Sequence, residues 1–119
     1  MNDMNDIKVA QNFRLKEFEC KDGSHLVMLH SELLLRLQDL RSSLGRAVII
    51  TSGYRTEEHN TRVGGTAGSL HLKGMAADIV VRGLSPQELA RAARQAGFRG
   101  IGIYNNFLHV DIRQHQASW

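Results

Sequence analysis

The stretch SLHLKGMAADIVV, residues 69–81, joins a polar loop to an apolar run of strand length. Small residues lead into the β-branched triplet at 79–81, and this pattern predicts a buried strand over 76–81. Asp78 stands inside that strand. An unpaired carboxylate at the edge of a core is costly, so Asp78 needs a partner, and a metal ion would serve. The stretch therefore predicts both a part of the core and a part of a site.

Three further strands are expected on either side of this stretch. The β-branched run AVIIT predicts a strand over 47–51, and a long loop rich in Gly, Thr, Ser and Asn separates it from 76–81. Near the C-terminus, strand-like runs at 101–104 and 107–113 flank an Asn-Asn pair at 105–106. Asparagine tolerates the positive φ of a tight turn, so a hairpin is predicted. We expect a small, mainly antiparallel sheet.

Two helices have clear sequence signals. Leucines at helical spacing predict the first over 31–44, with Ser31 as its N-cap and Gly45 as its left-handed stop. In LSPQELARAARQAGF, Ser85 is expected to cap the second helix, and Glu88 stands at the third position of a capping box. The predicted fold class is α+β, with both helices packed on one face of the sheet and the polar face left for a site.

The length of 119 residues fits one domain, with an expected flexible arm over 1–12 and a globular unit over 13–119. Fifteen Lys and Arg against twelve Asp and Glu give a net charge of +3, but the cations are dispersed, so no nucleic-acid partner is expected. Neither a membrane-spanning run nor a secretory signal is found. We therefore expect a monomer that is made in the cytoplasm and has no membrane partner.

Three side chains have the chemistry of a metal site. A catalytic zinc site takes three ligands from His, Asp, Glu or Cys, and His71, Asp78 and His109 offer such a set. Taken singly, each also fits an ordinary structural role in a loop or on a strand. Gly74 and the alanines before Asp78 remove side-chain bulk, as close approach of two segments around an ion requires. The residues alone leave a metal site and an ordinary loop both open.

Three ordered segments carry a resemblance to a known family. They are ITSGYRTEEHN at 50–60, VGGTAGSLHLKGMAADIVV at 63–81 and GIGIYNNFLHVDIR at 100–113. Their core pattern, S-x-H-x-x-G-x-A-x-D followed by H-x-D, resembles that of the zinc D-Ala-D-Ala carboxypeptidases and L-alanyl-D-glutamate endopeptidases, which are relatives of the Hedgehog signalling domain. The resemblance extends from about Phe13 to Arg113, nearly the whole chain.

The resemblance implies one Zn²⁺ per chain, held by His71, Asp78 and His109 with a water in the fourth position. It also implies a metallopeptidase that hydrolyses an amide bond in peptidoglycan stem peptides, at a D-alanyl or an L-alanyl-D-glutamyl bond. Because no export signal is found, we expect a phage or prophage lysin that is made in the cytoplasm and acts on the cell wall after release.

Further residues receive roles from the resemblance. Arg55, in the SGYR block, would face the site and stabilise the substrate carbonyl or the developing oxyanion. Ser69, His59 and Tyr104 are candidate substrate contacts, and their alternatives are a turn former, a loop-ordering residue and a packing residue. Trp119 is expected at the surface.

The general base is the point at which the sequence departs from the family pattern. Many members have Glu or Asp three residues before the last zinc histidine, and this chain has Asn106 there. An amide cannot accept and return a proton at neutral pH. Asp111, on the same strand face as His109, is expected to act as the base or as an acid that orients a ligand. The alternative function is a catalytically weak or inactive, zinc-stabilised module that binds the cell wall or has a structural role.

Overall fold

A computed structural model describes residues 3–119. Within these residues, the chain forms three α-helices, α1 (Ser31–Leu44), α2 (Glu57–Arg62) and α3 (Pro86–Gln95). The strands are β1 (Lys8–Ala10), β2 (Phe13–Arg14), β3 (Ile49–Ser52), β4 (Ala76–Val80), β5 (Gly100–Ile103), β6 (Leu108–Asp111) and β7 (Ala117–Ser118). Two 3-10 helices span Leu15–Phe18 and Leu70–Lys73.

Five of the strands form a mixed sheet in the order β3-β4-β6-β5-β7. The first four are antiparallel neighbours, and β7 runs parallel to β5. The α+β prediction is confirmed, although β3 begins at Ile49 and β7 was not predicted. The hairpin of β5 and β6 closes where the Tyr104 N–H donates to the Phe107 carbonyl at 3.1 Å. The turn at 105–106 does not use the positive φ that asparagine tolerates, because His25 is the only described non-glycine residue with one.

The core lies between one face of this sheet and the helices α1 and α3. In the register of β4 and β6, Ala77 pairs with Val110 and Asp78 pairs with His109. Since side chains alternate between the two faces of a strand, the apolar pair faces the helices, and Asp78 and His109 share the opposite face. Fully buried side chains of the core include Leu33, Leu37, Leu40, Ile79, Leu89 and Leu108. The polar face of the sheet is thus free to carry a site.

The ends of the two long helices agree with the sequence prediction except at one cap. The N-cap of α1 is His30, whose Nδ1 accepts from the backbone N–H of Glu32 at 3.1 Å. Ser31 is the first helical residue. The prediction of Ser31 as N-cap is therefore wrong. Gly45 ends α1 with a φ of 64°, and Ser85 forms the predicted capping box of α3 with Glu88.

Two segments contain secondary structure that the sequence did not predict. Within the predicted flexible arm over 1–12, Lys8–Ala10 pairs with Phe13–Arg14, while residues 1 and 2 lie outside the described residues. The long loop after β3 contains α2, which Thr56 caps. None of the described helices combines the length and the apolar character that crossing a membrane requires.

Candidate functional site

His71, Asp78 and His109 lie together on the polar face of the sheet. Asp78 and His109 are register partners on β4 and β6, and His71 comes from the 3-10 helix Leu70–Lys73. Nε2 of His71 lies 3.2 Å from Oδ1 of Asp78, and Nδ1 of His109 lies 3.1 Å from the same oxygen. One ligand atom from each residue is within 4.8 Å of the other two. We call these three residues the His-Asp-His cluster.

In each imidazole of the cluster, the inner nitrogen faces Asp78 and the outer nitrogen points away from it. The outer nitrogen is already used as a hydrogen-bond donor. Nδ1–H of His71 donates to the Gly53 carbonyl at 2.7 Å, and Nε2–H of His109 donates to Asp111 at 2.8 Å. In neutral rings the inner nitrogens then direct lone pairs toward the Asp78 carboxylate. Lone pairs and a carboxylate repel one another unless a cation lies between them, either a proton on the ring nitrogen, which then donates to Asp78, or a metal ion. Two imidazole nitrogens and one carboxylate oxygen are a donor set that suits zinc, so the cluster fits a metal site.

Burial and hydrogen bonding set the charges in the cluster. Burial opposes ionisation of Asp78, but hydrogen bonds with His109 and His71 outweigh it and lower its pKa to about 2. For His109, burial disfavours the charged ring, but hydrogen bonds with Asp111 and Asp78 outweigh this effect and raise its pKa. Asp78 is therefore a carboxylate at neutral pH, and positive charge at the centre of the cluster is favoured.

Arg55 lies beside the cluster and is anchored at three atoms. Its Nη2 donates to Asp78 at 3.1 Å, its Nε to Ser52 at 3.1 Å and its Nη1 to Asn60 at 3.2 Å. Asn60 is buried and in turn donates to the Thr66 carbonyl at 2.8 Å, a positioning contact that the sequence did not indicate. Three of the five guanidinium N–H groups are thus used, and the other two can meet a ligand.

Asp111 lies behind His109 and is fully buried. Its Oδ2 accepts from Nε2 of His109 at 2.8 Å and from Nη2 of Arg113 at 2.7 Å. Burial opposes ionisation, but these hydrogen bonds outweigh it and hold the pKa of Asp111 below its usual range. Gly100 faces Asp111 across the hairpin, and a Cβ there would overlap the carboxylate. Of the two roles predicted for Asp111, the geometry favours the orientation of His109, because a base must reach the substrate.

A cleft of about 520 Å³ opens beside the cluster. Its lining includes residues of the glycine-rich loop at 63–69, among them Ser69, and also Tyr104 and Phe107. Ser69 also caps the 3-10 helix, because its Oγ accepts from the backbone N–H of His71 at 3.2 Å. The candidate contacts Ser69 and Tyr104 therefore line the cleft.

His59 and Asn106, which the sequence also singles out, are not among the residues that line the cleft. His59 is partly buried on α2, and its Nδ1 has no hydrogen-bond partner among the described residues. Asn106 is exposed in the hairpin turn. Neither residue lines the cleft, so the position at which the family has its base does not face the cluster here.

Arg113 and Trp119 also line the cleft, where the sequence predicts no role for them. Trp119 is 47% exposed, as expected for a surface residue, but its ring centroid lies 5.2 Å from that of His109. Its Nε1–H donates to the Tyr104 hydroxyl at 2.9 Å, and the Arg113 guanidinium lies 4.8 Å from its ring centroid. Strand alternation over 107–113 places Arg113 on the site face, whereas no local signal predicts the pairing of β7 that positions Trp119.

Comparison with known proteins agrees with this site. A family model for Peptidase M15 matches residues 9–111. A zinc D-Ala-D-Ala carboxypeptidase of Streptomyces albus G is 36% identical over 81 residues, which are 63% of this chain and 32% of the relative. The peptidoglycan L,D-endopeptidase MepK of Escherichia coli K12 is 33% identical over 85 residues, which are 66% of this chain and 46% of the relative. The matched regions thus span less than half the length of these relatives.

Proposed function

The chain belongs to the peptidase M15 family, and on that premise we propose that it is a zinc-dependent metallopeptidase acting on peptidoglycan stem peptides. The observation that carries the proposal is the His-Asp-His cluster, in which both inner imidazole nitrogens face one carboxylate oxygen. The names of the two relatives support a D-alanyl bond or another amide bond of the stem peptide as the bond that is cleaved.

The residues around the cluster have separable roles in this proposal. His71, Asp78 and His109 would hold one zinc ion. Zinc supplies a Lewis acid that polarises an amide carbonyl and lowers the pKa of water. Arg55 has two N–H groups left to donate to the carbonyl oxygen as negative charge develops on it. Because the anchors of Arg55 are in place before a substrate binds, its guanidinium needs little reorganisation during the reaction.

The orientation of the ligands follows from their outer contacts. The Gly53 carbonyl and the Asp111 carboxylate each accept from the outer nitrogen of one imidazole, which fixes the tautomer and the ring plane. The nitrogen that faces Asp78 is then free to bind a metal. This arrangement would also make each ring a stronger electron donor to that metal.

A second function is favoured because the described residues that line the cleft offer no carboxylate besides that of Asp78. Asp78 is the only acidic residue among the described residues that line it, and Asp78 is predicted to be a metal ligand. Amide hydrolysis by an activated water needs a group that accepts and returns a proton. Asn106 does not supply one, and Asp111 meets the cluster only through His109. Without such a group, the chain would be a zinc-stabilised module that binds wall peptides without turnover.

Mass spectrometry of a digested muropeptide mixture separates the two functions. The zinc-loaded enzyme should release fragments cut at a D-alanyl or an L-alanyl-D-glutamyl bond, and a chelator should stop their formation. Asp78→Asn should abolish the products, while His115→Ala, at an exposed histidine outside the cleft, should retain them. Zinc bound at one equivalent without any product would support the binding module instead.

A further inference from the structure

We propose that Arg113 forms a carboxylate-binding subsite that selects peptides with a free carboxylate next to the scissile amide. This inference rests on the proposed function and names the substrate class that the site prefers. Its basis is the position of the guanidinium, the charge of the cleft and the chemistry of stem peptides.

The guanidinium of Arg113 is held rigidly on two sides. Asp111 accepts from Nε at 2.9 Å and from Nη2 at 2.7 Å, and the face of the Trp119 ring covers the group. No hydrogen bond joins Nη1 to any residue from 3 to 119, and the side chain is 33% exposed in the cleft. A preorganised guanidinium with an unused edge loses little conformational entropy when it binds a ligand.

The subsite lies next to the His-Asp-His cluster. Nη2 of Arg113 and Nε2 of His109 donate to the same oxygen, Oδ2 of Asp111, at 2.7 and 2.8 Å. One carboxylate oxygen therefore separates the guanidinium from a predicted metal ligand. Because Arg113 and the cluster line the same cleft, a ligand held at Arg113 by its carboxylate can place a nearby amide at the cluster.

The charge of the cleft selects an anion. Among the described residues that line the cleft, the Arg, Lys, Asp or Glu side chains are those of Arg55, Arg113 and Asp78. Asp111, behind the lining, offsets part of the charge of Arg113, but a divalent ion held by the cluster would make the whole region positive. A positive, partly buried surface is complementary to an anionic group. A planar carboxylate matches the fork geometry of a guanidinium.

Both candidate bonds have a carboxylate in the required place. A carboxypeptidase substrate ends in the residue that leaves, and that residue carries the free carboxylate. In an L-alanyl-D-glutamyl bond followed by a γ-linkage, the α-carboxylate of the glutamyl residue stands beside the scissile amide. Conversion of either carboxylate to a carboxamide removes the charge and keeps the size, which gives a matched pair of ligands.

The test measures binding and hydrolysis of both ligands of such a pair by four zinc-loaded proteins, the wild type and the variants Arg113→Gln, Arg113→Lys and Arg82→Gln. Binding is followed by the fluorescence of Trp119, the only tryptophan, and hydrolysis by mass spectrometry. We expect the wild type to prefer the carboxylate at least tenfold. Arg113→Gln should weaken binding of the carboxylate about 10- to 100-fold and change binding of the carboxamide less than about twofold, because a charge-assisted hydrogen bond is lost for one ligand only. Arg113→Lys should be intermediate, and Arg82→Gln, at an exposed arginine outside the cleft, should match the wild type.

Each other outcome has a definite meaning. If Arg113→Gln weakens binding of both ligands equally, Arg113 only supports Asp111 and the subsite is overturned. The subsite is also overturned if the wild type binds the two ligands equally, or if it binds neither. A carboxylate preference that depends on Arg113 without hydrolysis would support the subsite and contradict the peptidase. Because Arg113 contacts the Trp119 ring, its substitution changes the fluorescence itself, so the midpoints of the titrations are compared and not their amplitudes. If Arg113→Gln does not fold, Arg113→Lys decides the question.

Discussion

Oδ2 of Asp111 lies 2.8 Å from Nε2 of His109, on the opposite side of the ring from Asp78. The imidazole is therefore held between two carboxylates, one buried behind it and one facing it in the cluster. A carboxylate behind a histidine fixes the tautomer that binds a metal and makes the ring a stronger electron donor to that metal. This pair explains how Asp111 can matter for the site without reaching a substrate.

The first prediction concerns Asp111→Asn, which keeps the shape of the side chain and removes its charge. We expect zinc affinity to fall about 10- to 100-fold, because the orienting contact to His109 is weakened. Turnover at saturating zinc should stay within about tenfold of the wild type. Competition with a chromophoric chelator measures the affinity. If turnover falls by a thousandfold or more while zinc occupancy is complete, Asp111 is the general base instead.

The second prediction concerns removal of the metal. A ligand present at 100 times its Kd stabilises the folded state by about 2.7 kcal/mol, and each kcal/mol raises Tm by about 4–8 °C in a small domain. We therefore expect a chelator to lower Tm by roughly 10 °C or more. Asp78→Asn should make Tm insensitive to the chelator, and His115→Ala should keep the full sensitivity. A wild-type Tm that does not respond to the chelator would contradict a zinc site in this cluster.

The third prediction concerns the anchoring of Arg55. Arg55→Ala should lower kcat/KM by about 10²–10³-fold, the range expected when one preorganised donor to an oxyanion is lost. Asn60→Ala should have a smaller effect of the same kind, because it removes one of three anchors of the guanidinium. Zinc content must be measured in both variants, since Arg55 also contacts Asp78. Equal activity of Arg55→Ala and the wild type would exclude a role for Arg55 in the reaction.

The sequence predicts the parts of the fold that local signals determine. The leucine spacing of α1, the capping box at Ser85 and the apolar run of β4 each depend on neighbours within a few positions, and the structure has all three. Strand alternation over 107–113 also predicts that His109 avoids the core face. Its juxtaposition with Asp78 depends on the register of β4 and β6, which the sequence does not contain.

The parts that could not be predicted depend on contacts between distant segments. Asp111 is buried because Gly100, on the neighbouring strand, leaves room for its carboxylate. Trp119 reaches the cleft because β7 pairs with β5. Strand β7 has only two residues, which is too short for a strand pattern in the sequence. Helix α2 forms in a segment whose Gly, Thr and Asn content indicates a loop, since Thr56 caps it and Asn60 ties it to Arg55.

The fourth prediction concerns pH and the ion pair between Glu32 on α1 and Arg99, the residue before β5. Arg99 donates to Glu32 at 2.9 and 3.2 Å, and this hydrogen bonding lowers the pKa of Glu32 from its usual 4.5. A lowered folded-state pKa contributes stability above the unfolded pKa, and that stability is lost as the pH falls through the folded pKa. Glu32→Gln should therefore be less stable than the wild type at pH 7, and the difference should shrink by pH 3. Urea unfolding at both pH values measures it, with the exposed Glu57→Gln as control. A difference that is the same at both pH values would mean that the charge of Glu32 does not matter.

The fifth prediction concerns the space that Gly102 leaves for Trp119. A Cβ at Gly102 would lie 2.5 Å from Nε1 and Cε2 of the indole, so Gly102→Ala must displace the ring from Tyr104 and Arg113. We expect the emission of Trp119 to shift to the red and its quenching by acrylamide to increase, because the ring loses contacts and gains solvent. Gly68→Ala is the matched control, since Gly68 also lines the cleft and a Cβ there meets nothing within 4 Å. Unchanged emission in Gly102→Ala would mean that the indole has another position in solution, and Arg113 would then lack the ring that holds one side of its guanidinium.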